Sequence, residues 1–260
     1  MISTNPFAQR LAHNGGPFSG VKAFYACLGS GFLISLITLI DVAFSPMPAS
    51  GIDGFQVFVF VIGFSIIISL PLFMTYVATA VTVTYTKSSE FPFLLLTNLP
   101  AKAIVQGFLI GTFYRCRVLV ALVISLSIAL SIPMKSGGFQ FSLYPETLGY
   151  GIAESMVRHI VMGFLFAAII SSICLLGASI GIMLGLWWRQ TIIANGAATI
   201  LLIIGAFWWL DKTGDFLVST GSYYSNLYTY DVLHILLYIP LPIMLSWILL
   251  RIARRWTRNP

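Results

Sequence analysis

In the run from Ile152 to Trp187 no charged side chain follows Arg158. A run of that length and character has one comfortable solvent, because about 20 apolar residues in a helix cross the ~30 Å hydrocarbon core of a bilayer. Similar runs recur along the sequence and predict six spans: Ala23–Phe44, Phe55–Thr84, Ala101–Ile132, Ile152–Trp187, Thr191–Leu210 and Val232–Ile252. The runs are continuous rather than alternating, which favours helices and excludes a β-barrel. Several exceed about 20 residues, so those helices must tilt or extend beyond the hydrocarbon. Only 8% of residues are charged and the mean hydropathy is +0.93, where a soluble domain carries about 25% charge. The expected fold is all-α: a polytopic membrane protein, one domain over residues 1–260, with six transmembrane helices.

Lysine and arginine set the expected orientation. Arg10, Lys22, Lys87, Lys102, Arg189, Arg251, Arg254, Arg255 and Arg258 fall on one side; only Lys135 and Lys212 fall on the other. Asp53, Glu146, Asp211, Asp215 and Asp231 accompany the lysine-poor loops. Both termini, with the segment 1–22, are therefore expected to be cytoplasmic. The opening residues lack a basic-then-apolar leader with a cleavage site, so the first span is expected to be retained. The net charge of +6 follows from this asymmetry and suits an anionic inner leaflet. Membrane lipids are the expected partners of the basic ends, with Trp256 as an interfacial anchor, and nucleic acid is not expected.

Little in the sequence suggests catalysis. Cys27, Cys116 and Cys174 lie far apart in apolar sequence, without metal-site spacing, and read as small hydrophobes. No Ser/His/Asp set, paired carboxylate or metal cluster converges on one membrane face, and His13 and His234 have no ligand set around them. No G-x-x-x-x-G-K-[S/T] run is present to cradle a nucleotide phosphate. The chain is not expected to be an enzyme, and no metal or catalytic residue is assigned.

The informative interruption is YTKSSEFPFLLLTNLPAKAIVQG, Tyr85 to Gly107. Phe91, Leu94 and Leu95 recur at helical spacing with Asn98 on the same face. Ser88 and Ser89 can cap a helix start, Glu90 suits the positive end of its dipole, and Pro100 can end it and open the next. The pattern predicts a short amphipathic helix over 88–99, between the second and third spans. Such a helix either docks a partner or lies flat on the bilayer.

This stretch resembles the cytoplasmic coupling segment of ABC type-2 transporter permeases: Glu90, then Leu94, Leu95, Leu96 and Thr97, then Leu99 and Pro100, then Ile104, Val105 and Gly107. Two other segments are similar to that family, GIMLGLWWRQTIIANGAA with Arg189 at a short basic turn, and NPFAQRL before the first span. The chain departs from the family's pattern at Ala103 and Phe108, in the Asn98–Pro100 order, and in the early break at HNGGP. The resemblance implies the membrane subunit of an ATP-driven exporter in the bacterial plasma (inner) membrane. It implies docking on a separate ABC ATPase subunit through Lys87, Glu90, Phe91, Leu94, Leu95, Asn98 and Arg189. It further implies ATP and magnesium in that partner rather than in this chain, a second permease subunit, and an amphipathic or lipid-linked substrate. An alternative is a non-transporting subunit of a larger membrane complex that retains the permease fold.

Charges and glycines within the spans carry further expectations. Arg115 and Arg117 lie about 20 Å along the third span from Lys102 and cannot share one helix face. Either one of them lines a path for an anionic substrate, or the helix starts below the membrane and both lie among headgroups. Glu154 and Arg158 have the good i, i+4 order for an ion pair, and Asp41 reaches the outer headgroups. Gly107 and Gly111, and the run Gly177, Gly181 and Gly185, have the spacing that lets helix backbones approach closely. The outer segment 211–231 carries Tyr223, Tyr224, Tyr228 and Tyr230, which read as an aromatic belt; by the resemblance it can be partly re-entrant.

Overall fold

The computed structural model describes residues 5–13, 20–44, 54–96, 99–131, 152–205 and 239–257. Among them every element is a helix: α1 (Pro6–His13), α2 (Val21–Phe44), α3 (Gly54–Lys87), α4 (Glu90–Leu96), α5 (Ala101–Ser131), α6 (Ile152–Trp188), α7 (Thr191–Gly205) and α8 (Pro240–Trp256). Three of these, α2, α5 and α6, hold stretches long and apolar enough to cross a membrane: Val21–Thr38, Ala101–Ser127 and Gly163–Trp188. The chain is an all-helical integral membrane protein on that ground. The other expected spans fall on α3, on the shorter apolar α7, and on α8. Asn98, Lys135, Lys212, Arg258, His234, the acids of the lysine-poor loops and the segment 211–231 with its tyrosines lie outside the described residues. So do the side chains of Asp41, Glu154 and Arg158.

The long helices associate in two parallel pairs. In the first, α2 and α5 share a seam of small residues. The Ser35 hydroxyl donates to the Ser125 carbonyl at 2.6 Å, and the Ala129 amide donates to Ser35 Oγ at 3.2 Å. Gly31 faces Ser125 so closely that a Cβ would overlap its side chain. In the second pair, Thr75, Thr79 and Thr82 of α3 lie along Gly177, Gly181 and Gly185 of α6. Each threonine hydroxyl donates 2.8 Å back to the carbonyl four residues earlier. With its polar atom satisfied locally, each threonine presents a ridge that the glycine groove accepts.

Between the pairs α3 and α5 run antiparallel. Tyr85 of α3 meets Phe108 of α5 at 6.1 Å between ring centroids, while Met74 and Cys116 share the next apolar cluster along. This alternation of direction is what successive spans require. A third cluster joins α6 and α7 through Leu184, Ala194, Ala198 and Leu202. The outward faces of α2, α7 and α8 are apolar, with Leu33, Leu36, Ile200, Ile204, Met244 and Ile248 exposed, as helices in a lipid solvent should be.

Candidate functional site

One end of the bundle gathers most of the residues singled out in the sequence. A single apolar cluster there unites α1 (Phe7, Leu11), α4 (Phe91), the start of α5 (Ile104, Val105, Phe108), the end of α6 (Ile182, Leu186) and the end of α8 (Ala253). Arg10, Lys87, Lys102, Arg189 and the arginines of α8 are therefore carried on elements that meet at this end.

The N-terminal helix is fixed by local chemistry. Asn5 Oδ1 accepts from the amides of Phe7 and Ala8 at 3.1 and 3.2 Å, and Pro6 takes the first helical position, where its missing N–H is no loss. The same side chain donates from Nδ2 to the Ala103 carbonyl at 2.8 Å, so the cap also ties α1 to α5. Phe7 enters a notch that exists because residue 107 is glycine; a Cβ there would overlap its ring. Its ring meets Tyr85 and Phe108 edge-on at 5.0 and 5.1 Å. Leu11 sits on Gly111, where a Cβ would stand 3.0 Å from Leu11 Cβ. The pair Gly107 and Gly111, expected to bring two spans together, instead receives a short helix from the same chain.

The described residues of the second short helix, Glu90–Leu96, fall within the expected 88–99, and they correct the sequence reading in two respects. Ser88 does not cap it by its hydroxyl, which donates 2.7 Å backwards to the Tyr85 carbonyl and so closes α3. The face expected to dock a partner is turned inward: Phe91 is 4% exposed, and Leu94 and Leu95 pack on the cluster. The reason is that this face joins the apolar cluster at the end of the bundle, which α4 meets chiefly beside α3. The outward apolar side chains are Phe93 and Leu96, 69% and 81% exposed.

Glu90 belongs to an internal network. Arg10 Nη2 lies 2.6 Å from its Oε1, and the Tyr85 phenol donates to its Oε2 at 3.2 Å. Burial pushes the Tyr85 phenol above its ordinary range and the bond to Glu90 adds to the rise, while the Arg10 charge opposes it. Lys87, closing α3, is exposed.

Arg189 forms the turn between α6 and α7 with φ of 50°, the left-handed region that costs a non-glycine residue about 1 kcal/mol or more. Its amide donates to the Gly185 carbonyl at 3.3 Å. Beside it Trp187 stacks on Trp188 and meets Trp256 of α8 at 5.0 Å, so this turn and the end of α8 share one aromatic surface.

Arg115 and Arg117 flank the inward Cys116 on α5. Arg117 lies over the Tyr114 ring at 4.2 Å from its centroid. The Nε atoms of both arginines are buried and find no hydrogen-bond partner among the described residues. No group of three metal-ligating side chains occurs among the described residues.

The sequence reading set Arg10 on the basic side and singled out NPFAQRL before the first span, but gave Asn5, Phe7 and Tyr85 no role of their own. A signal for the first was present: Asn-Pro opening a helix whose Phe7, Ala8 and Leu11 fall at helical spacing. The partners of Phe7 and Arg10 are about 80 to 100 positions away, where local periodicity carries no information. Compared with protein-family models, curated proteins and solved structures, the chain matches none.

Proposed function

We propose that the chain is the membrane-spanning permease subunit of an ATP-driven exporter, with six spans and a cytoplasmic helix, α4, that docks on a separate ABC ATPase. The observation that supports the reading best is the mounting of α4. It is anchored in the bundle by Phe91 and by the Arg10–Glu90 pair, yet it turns Phe93 and Leu96 outward at the basic end. A mere connection between two helices needs no such exposed apolar pair. A surface that engages a protein groove does, and rigid anchoring is what transmits a partner's motion into α3 and α5. A second permease subunit and an amphipathic substrate belong to the same reading.

The experiment is affinity purification of the tagged chain from its own membranes in mild detergent, followed by mass spectrometry. It is repeated with Phe93→Asp and Leu96→Asp together, since Leu94 and Leu95 are part of the bundle's own packing. An ATP-binding-cassette ATPase that accompanies the wild type and is lost from the variant supports the proposal. Recovery of a different membrane complex without an ATPase overturns it and favours a scaffold subunit.

A further inference from the structure

The apolar coat of the bundle ends at one place on its α6–α7–α8 side. On α8 the exposed Ile248 and Ile252 give way to Arg255 and Trp256. On α7 the exposed Ile193 and Ile192 give way, towards the turn, to the exposed Gln190 and Arg189. The two edges adjoin, because Trp187 stacks on Trp188 at 5.4 Å and meets Trp256 at 5.0 Å. These three indoles are 36% to 49% exposed, so each still shows part of its ring to whatever lies outside. Half-exposed indoles at the end of an apolar coat belong at a membrane–water interface, which suits both the ring and its polar N–H. An interface at this level leaves the exposed apolar faces of α7 and α8 in hydrocarbon.

Arg189 and Arg255 stand exposed at this rim, and no described carboxylate is left for them. Among the described side chains Glu90 is the one carboxylate, and Arg10 holds it. Arg251, one turn before Arg255, is already engaged over the Trp247 ring at 4.3 Å. Arg189 also holds a φ of 50°, a conformation that glycine adopts freely. Backbone strain kept under an exposed cation points to a use for that side chain outside the chain's own fold. A guanidinium beside interfacial indoles fits a phosphodiester, which accepts two parallel charge-assisted hydrogen bonds. Ile192, Ile248 and Ile252 then offer apolar surface to the acyl chains below it. We propose that Arg189 and Arg255, flanking the Trp187–Trp188–Trp256 surface, bind the phosphate headgroup of an anionic phospholipid in the leaflet at the basic end. The assignment needs the membrane reading alone and stands whether or not the chain exports anything. It gives Arg189 to lipid where the family resemblance gives it to an ATPase.

The test is native mass spectrometry of the full chain released from nanodiscs of equal phosphatidylglycerol and phosphatidylcholine. The wild type should retain phosphatidylglycerol preferentially, by about five-fold for each arginine. Arg189→Gln with Arg255→Gln should bring the ratio near one, and Arg189→Lys with Arg255→Lys should keep part of the preference. Arg189→Gly separates binding from folding, because it relieves the left-handed turn. Its thermal midpoint in detergent without phosphatidylglycerol should hold or rise, while its preference for that lipid falls about five-fold. An unchanged ratio in the glutamine or glycine variant overturns the proposal. If the glutamine variant also loses a co-purifying protein at that unchanged ratio, the surface belongs to a protein partner instead. Displacement of the bound lipid by inorganic phosphate overturns it too, since the surface would then take a soluble anion. A second measurement needs no variant: a phosphatidylglycerol carrying a photoreactive group near its headgroup is crosslinked to the wild type. Adducts on Trp187–Ile193 and Ile252–Thr257 support the surface, and adducts confined to α1, α4 and the first turns of α5 exclude it.

Discussion

Arg10 reaches Glu90 across 80 positions of sequence, Nη2 to Oε1 at 2.6 Å, and so joins the N-terminal helix to the helix between α3 and α5. Both side chains are about half exposed, so the pair itself contributes little, about 0–1 kcal/mol for a surface ion pair. What holds α1 is Phe7, 3% exposed in the notch over Gly107. We expect Phe7→Ala to cost about 3–5 kcal/mol of local stability and Arg10→Ala about 1 kcal/mol or less. Hydrogen exchange of the amides from Phe7 to His13 reads the difference: fast in the first variant, near wild type in the second. Equal acceleration in both would assign the docking to charge.

Tyr85 makes that docking dependent on pH. Its phenol is raised from the ordinary value of 10.0 by burial and by the bond to Glu90, so the folded state favours the neutral form. The associated stability is fully present below about pH 10 and is lost as pH rises through the folded value. Exchange in α1 should therefore accelerate above about pH 10 in the wild type. In Tyr85→Phe the α1 amides should start somewhat less protected, and that alkaline step should shrink. An undiminished step in the variant would move its origin to another group.

The two faces of α4 should separate in mutagenesis. Leu94→Asp with Leu95→Asp places charge against the cluster that holds the end of the bundle, and burying an unpaired charge is among the few strongly destabilising changes. The thermal midpoint of that variant in detergent should fall by several degrees. Phe93→Asp with Leu96→Asp alters only exposed positions and should leave the midpoint within about one or two degrees. The reverse order would mean that α4 faces the other way.

The sequence made the helical, membrane-spanning character legible because hydrophobic length is a local property, readable in each run by itself. It made the existence of α4 legible for the same reason, through its spacing and its flanking serine and proline. The orientation of α4 was not legible. Phe91, Leu94 and Leu95 form as good a face as Phe93 and Leu96, and only the apolar cluster at the end of the bundle decides which turns inward. Gly107 and Gly111 were legible as a close-approach surface but not as the seat of α1, since small-residue spacing specifies a groove and leaves its occupant open. Arg115 and Arg117 left two readings open, because the spacing of charges along one helix says nothing of its depth in a bilayer.

The glycine seam of α6 offers the sharpest contrast between equivalent changes. A Cβ on Gly181 would stand 2.6 Å from the Thr75 carbonyl oxygen and 2.9 Å from Thr79 Oγ1. The first is backbone and cannot swing away, so α3 and α6 would have to separate and surrender packing along the threonine ridge. On Gly29 and Gly196 the same atom would meet nothing within 4 Å, and alanine there recovers helix propensity, about 1 kcal/mol in an exposed helix interior. Gly181→Ala should lower the thermal midpoint, while Gly29→Ala and Gly196→Ala should hold or raise it, all three compared in one detergent. If a second copy of the chain closes over α2, Gly29→Ala should lose that gain and shift the oligomer towards monomer in size-exclusion with light scattering. A Gly29→Ala variant that is both more stable and unchanged in mass would assign that face of α2 to lipid.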